Sequence, residues 1–212
     1  MKISNELNNA KRYLGIFGLV SLPLIFTPAV SNAQNLERTP QKDTFETYID
    51  SVVPKGTRNK QILFNAPDAE VEIAGIKYTA RIVVDLSKNI LYTYNPNGQA
   101  DCAYLIASGK PRYPTDTGIR IVTHIETYPY RNAPSSTRRR RKPNDYGPNI
   151  ICLEKVDPKT GQRSQTGEFI HGNNNPSSLG KYASLGCMRM DNDVIRKLAK
   201  EVKRGDIVVI KK

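Results

Sequence analysis

The chain of 212 residues, with 38% hydrophobic and 25% charged residues, has the composition of a packed core and not of a disordered polymer, and one domain with a short leader accounts for its length. Its formal charge of +12 points to anionic surroundings. Three cysteines leave at least one thiol outside any intrachain disulfide.

The N-terminus has the three parts of an export signal. Lys2, Lys11 and Arg12 precede an apolar stretch from Tyr13 to Val30, and Ser31-Asn32-Ala33 forms a small-x-small cleavage site. Residues 1–33 are therefore expected to be a signal peptide, with Gln34 first in the mature chain. The rival reading is an uncleaved anchor, which Pro23 and Pro28 interrupt as a spanning helix. Export places the protein in a periplasm or cell wall, where the basic charge meets wall polymers, acidic lipids or acidic peptides and nucleic acid is not an expected partner. No stable membrane insertion is expected after cleavage.

Residues 34–75 read as a linker with one short amphipathic helix. Asp43-Thr44-Phe45-Glu46 resembles a capping box, and Phe45, Tyr48, Ile49, Val52 and Val53 follow at helical spacing until Pro54. From about Ile76 the pattern becomes that of strands. Ile82 to Leu86 and Ile90 to Tyr94 flank Ser87-Lys88-Asn89 as a hairpin, and Ala103 to Ala107 and Ile119 to Ile125 follow between Gly and Pro punctuation. Tyr128 to Pro148 loses periodicity and carries Arg138-Arg139-Arg140-Arg141-Lys142. This loop is read as a solvated surface, with attraction of an anionic wall polymer as its functional alternative. Strands resume at Ile150 to Leu153 and Glu168 to His171. The strongest helix of the domain follows Cys187, with Val194, Leu198 and Val202 on one stripe, and Ile207 to Ile210 closes the chain as a strand. The fold class is mainly β.

The chemistry concentrates between Ile170 and Met190. Cys187 follows Gly186 and is expected at the start of the helix, where oriented amides would hold a thiolate. Gly186 permits a sharp turn that could present backbone N–H groups as an oxyanion hole. His171, at a strand end beside a flexible Gly172, suits a general base. Arg189 could hold a carboxylate through its planar fork or serve in a structural salt bridge, and Ser184 could bond substrate or shape the turn. His124 is read as a sheet residue. Two histidines and scattered cysteines give no usual metal-ligand spacing, so no metal is expected. Cys102 and Cys152 could pair if their strands are neighbours, leaving Cys187 as the thiol.

This block resembles the catalytic domain of the L,D-transpeptidases, cysteine enzymes of bacterial peptidoglycan. The resemblance rests on His171-Gly172, on Ser184-Leu185-Gly186-Cys187-Met188-Arg189-Met190, on Asn192 to Val194 opening a helix, and on Arg204-Gly205-Asp206 before the last strand. Weaker matches are Val84-Asp85-Leu86-Ser87 with Leu91-Tyr92, Ala107 to Lys110, and Thr115-Asp116-Thr117-Gly118. Departures are Asp116 where the family commonly has Pro, Leu185 where many members have His, and the arginine-rich loop. The likeness covers about residues 80–212, and places a catalytic domain at 76–212. It implies a β-sandwich or partly open barrel with one helix near its C-terminal end, a Cys187 nucleophile and His171 base, pocket roles for Ser184, Gly186, Arg189 and Gly172, and no cofactor or metal. It further implies acyl transfer from a peptidoglycan stem tetrapeptide through a thioester to an amine, with water as acceptor giving a carboxypeptidase, and acylation by carbapenems as mimics of the donor. A papain-like peptidase would place Cys before His, the reverse of the order here. The remaining alternative is a non-catalytic module that binds anionic wall polymer.

Overall fold

The computed structural model describes residues 53–130 and 143–212. The signal peptide, most of the expected Asp43–Val53 helix and the Arg138–Lys142 run lie outside the described residues. Among the described residues no helix is long and apolar enough to cross a membrane.

The chain enters through a 3-10 turn at Val53–Lys55 and a short helix α1, Lys60–Phe64, whose first amides are capped by Asn59 Oδ1. Strands β1 (Glu70–Ile73) and β2 (Ile76–Thr79) form a small exposed hairpin. β3 (Ile82–Asp85), β4 (Ile90–Tyr94), β5 (Ala100–Leu105), β7 (Gly118–Thr127), β8 (Asn149–Val156), β9 (Arg163–His171), β11 (Met188–Arg189) and β12 (Ile207–Lys211) make one curled sheet in the order β11-β9-β8-β7-β12-β3-β4-β5. β6 (Ser108–Gly109) and β10 (Tyr182–Ser184) pair separately, in parallel. Helix α2 spans Pro143–Tyr146, inside the stretch expected to be a plain loop, and helix α3 spans Asn192–Glu201.

β-Branched runs place the central strands between two cores, because alternate side chains point to opposite faces. In β3, Ile82 and Val84 join Leu91, Val122, Ile151, Ile170, Met188 and the α3 residues Val194, Ile195 and Leu198. Val83 instead joins Ile90, Tyr92, Tyr94, Ile119 and Ile207 on the opposite face, with Val53 and Ile62 of the N-terminal segments. The predicted hairpin forms between β3 and β4. Its turn is fixed by Asp85 Oδ1, which accepts from Ser87 N at 3.0 Å and Lys88 N at 3.3 Å, and it closes with Asn89 at φ 52°.

Cys102 and Cys152 form no disulfide. They lie on β5 and β8, with β7, β12, β3 and β4 between them. Five strand spacings amount to on the order of 20 Å along the sheet, far beyond the ~7 Å Cα limit for a bridge.

Candidate active site

β9 carries His171 at its end, and β11 lies parallel beside it with Met188 opposite Ile170 and Arg189 opposite His171. This register continues as Met190 N donates to His171 O at 2.8 Å. Cys187 precedes β11, so strand pairing occupies the residues that were expected to begin a helix. α3 starts only at Asn192, and Asp191 caps its first amides, with Oδ1 accepting from Asp193 N at 2.8 Å and Val194 N at 3.2 Å. The helix-terminus account of Cys187 is thereby corrected, since a macrodipole acts within its own first turn and this one already faces a carboxylate. Cys187 Sγ lies 3.6 Å from Gly167 O, which can accept the thiol proton.

The turn before the sulfur is tightly specified. Gly186 has φ 116°, which favours glycine, and its N–H donates to Ser184 Oγ at 3.0 Å, so this amide is engaged inside the turn. Ser184, fully buried, donates in turn to Cys187 O at 2.6 Å and so shapes the turn. Thr115 ties the same turn to the sheet: its hydroxyl donates to Gly186 O at 2.8 Å and accepts from Gly109 N at 2.9 Å.

His171 is buried, and its Nδ1 lies 2.6 Å from Gly172 O. A carbonyl only accepts, so Nδ1 carries hydrogen and the neutral ring has its lone pair at Nε2. Burial pushes the imidazole down from 6.5 to about 4. The Arg189 charge acts in the same direction, while the Gly172 and Tyr146 carbonyls oppose it. Gly172 is present for close packing and not for flexibility. A Cβ there would lie 2.3 Å from Asn192 Oδ1 and 2.8 Å from Gly147 Cα.

That close approach introduces a residue the sequence did not mark. The Tyr146 ring, just before Gly147, packs on the imidazole with centroids 4.8 Å apart and planes at 50°. Its only sequence signal was a Tyr-Gly-Pro step at the end of an aperiodic stretch. A cavity of about 300 Å³ is lined by Asp145, Tyr146, His171, Asn174, Ser184, Leu185, Cys187 and Arg189. The structure thus brings together Cys187, His171, Arg189 and Ser184. Arg189 lines this cavity, and its guanidinium makes no ion pair among the described residues.

A second unread feature braces the floor. Arg120, fully buried, donates from Nε at 3.0 Å and Nη2 at 2.8 Å to Glu168 Oε2, while Glu168 Oε1 accepts from Asp116 N at 2.7 Å. The pair fixes β9 immediately beside Gly167, whose carbonyl meets the thiol.

The L,D-transpeptidase catalytic domain model, known as YkuD, matches residues 79–210. The chain belongs to this family. Over 41 residues it is 54% identical to the YkuD protein of Bacillus licheniformis, a stretch that covers 19% of this chain and 25% of that protein. The matched part therefore spans a quarter of that relative's length. Among solved structures, Bd1075 of Bdellovibrio bacteriovorus is 23% identical with a TM-score of 0.48, covering 68% of this chain and 53% of that one. The catalytic domain of an Enterococcus faecium L,D-transpeptidase is 24% identical with a TM-score of 0.43, covering 62% of this chain and 96% of that one. The mainly β architecture expected from the sequence is present as one curled eight-stranded sheet.

Proposed function

We propose that this L,D-transpeptidase-family chain is an exported enzyme that transfers the acyl group of a peptidoglycan stem tetrapeptide through a thioester at Cys187. The observation that supports it most is the shared cavity lined by a reachable thiol, a buried imidazole with a defined tautomer and Arg189.

In this reading Arg189 binds a substrate carboxylate, and burial keeps the His171 lone pair available at neutral pH. Thiol and imidazole are both neutral at rest. As Sγ attacks the carbonyl, the thiol proton passes to His171 Nε2, and the imidazolium is held by the carbonyls of Gly172 and Tyr146. The developing oxyanion is received by backbone N–H groups at the turn that carries the sulfur. Collapse expels the terminal amino acid, which takes the proton from His171. An amine acceptor then attacks the thioester, and water in its place gives carboxypeptidase activity. The Arg138–Lys142 run would add attraction for anionic wall polymer, a role supported by its charge in the sequence alone.

The test is a defined tetrapeptide stem incubated with and without an amine-bearing second stem. Release of the terminal residue that requires Cys187, with capture by the amine, is the expected result. No release by a folded wild-type chain would reject the proposal, and release without amine capture would replace the transpeptidase with the carboxypeptidase.

A further inference from the structure

β7 and β8 assemble a second group of chemically active side chains that shares no lining residue with the Cys187 cavity. His124 on β7 stands opposite Cys152 on β8, immediately after a register shift between Val122 and His124. Such irregularities re-aim side chains. Glu126, two residues along β7, faces the same side of the sheet as His124. One potential ligand atom from each of the three lies within 4.8 Å of the others, at the edge of a cavity of about 210 Å³.

We propose that His124, Glu126 and Cys152 form a binding site for a divalent transition metal of the zinc class, with a fourth position open to solvent.

The distances fit the coordination. With bonds of ~2.0–2.3 Å, a tetrahedral centre separates nitrogen and oxygen ligands by about 3.3 Å and sulfur from either by about 3.6 Å. Here His124 Nε2 lies 3.2 Å from Glu126 Oε1, and Cys152 Sγ lies 4.0 Å from the same oxygen. The histidine tautomer fits as well. Thr123 Oγ1 donates to Cys152 O at 3.2 Å, so it accepts from His124 Nδ1 at 3.0 Å and leaves the Nε2 lone pair directed at the cluster. Metal-bound histidines are oriented by a partner of this kind on the second nitrogen. Glu126 and Cys152 are buried to 3% and 4% exposure, and a divalent ion would offset the charge of a carboxylate and a thiolate brought together there. His124 remains half-exposed and gives the ion a route in. Binding forms metal–sulfur, metal–nitrogen and metal–oxygen bonds and releases the thiol proton to solvent, with no change of oxidation state. The sequence shows no ligand spacing because the register of two strands, and not a local motif, brings the ligands together.

The probe is Co2+, added under reducing, anaerobic conditions to full-length chain carrying Cys187→Ala, so that the active-site thiol contributes nothing. The expected result is one Co2+ per chain with a thiolate charge-transfer band in the near ultraviolet, displaced by Zn2+. Adding Cys152→Ser should abolish the band, and adding His124→Ala should weaken binding by about 100-fold or more. His124 is half-exposed, so its variant keeps the test decisive if the serine variant misfolds. Absence of the band in folded Cys187→Ala chain overturns the proposal, leaving a proton as the only occupant between Nε2 and Oε1. A band that survives Cys152→Ser, or a Co2+ affinity unchanged by His124→Ala, overturns it equally.

Discussion

The low basicity of His171 makes a prediction about stability that is independent of any substrate. The imidazole falls from 6.5 in the unfolded chain to about 4 when folded, chiefly because burial penalises its charged form. Between these values the unfolded chain takes up a proton that the folded chain refuses. The native state is therefore fully stable with respect to this group above pH 6.5, and loses stability as pH falls towards 4. The displacement corresponds to about 3 kcal/mol once pH is below 4, and to about 2 kcal/mol at pH 5. His171→Gln keeps a neutral hydrogen-bonding side chain and removes the titration. Urea unfolding of both proteins at pH 7 and pH 5 measures the effect, and any pH-independent cost of the substitution cancels in the comparison. The wild type should lose about 2 kcal/mol more than the variant between the two pH values. Parallel behaviour within about 0.5 kcal/mol would show that the folded imidazole is not held neutral, and would refute the assignment of a resting neutral base.

Further outcomes follow from the packing around the site. Arg120→Met should cost about 3–5 kcal/mol by urea midpoint, because it strands the buried Glu168 carboxylate, whereas Lys155→Met should cost no more than about 1 kcal/mol, because its pair with Asp116 is about half exposed on both sides. Gly172→Ala should destabilise the fold by about 1–3 kcal/mol and lower kcat, since its new methyl meets Asn192 and the Gly147 backbone; an unchanged thermal midpoint would contradict the close approach. Thiol titration in denaturant without reductant should find three reactive thiols, and a count of one would restore a Cys102–Cys152 bridge.

Features set by local pattern were legible in the sequence. The β3–β4 hairpin, the Val194–Leu198 stripe of α3, the final strand and the position of His171 at a strand end all follow from periodicity and turn chemistry over a few residues. Features set by non-local pairing were not. α3 was expected immediately after Cys187, but parallel pairing of Met188 and Arg189 with β9 claims those residues first. Glu70–Ile73, inside the stretch read as a linker, is a strand that pairs with β2 and lays Val71 and Ile73 partly buried against the core. Arg120 would ordinarily face solvent on a strand, and Glu168 of β9, with the Asp116 and Ile119 carbonyls, makes its burial tolerable. Cys187 and His171 were marked by neighbouring motif residues, whereas Tyr146 reaches the imidazole through the Gly147–Gly172 contact, which no spacing encodes.

The role of Cys187 is tested most directly by intact mass measurement of the folded chain after exposure to a carbapenem under reducing conditions. The wild type should gain one covalent adduct, located on Cys187, and Cys187→Ala should gain none. A folded wild-type chain that stays unmodified, or a variant that still takes up the adduct, would contradict a nucleophilic sulfur at this position.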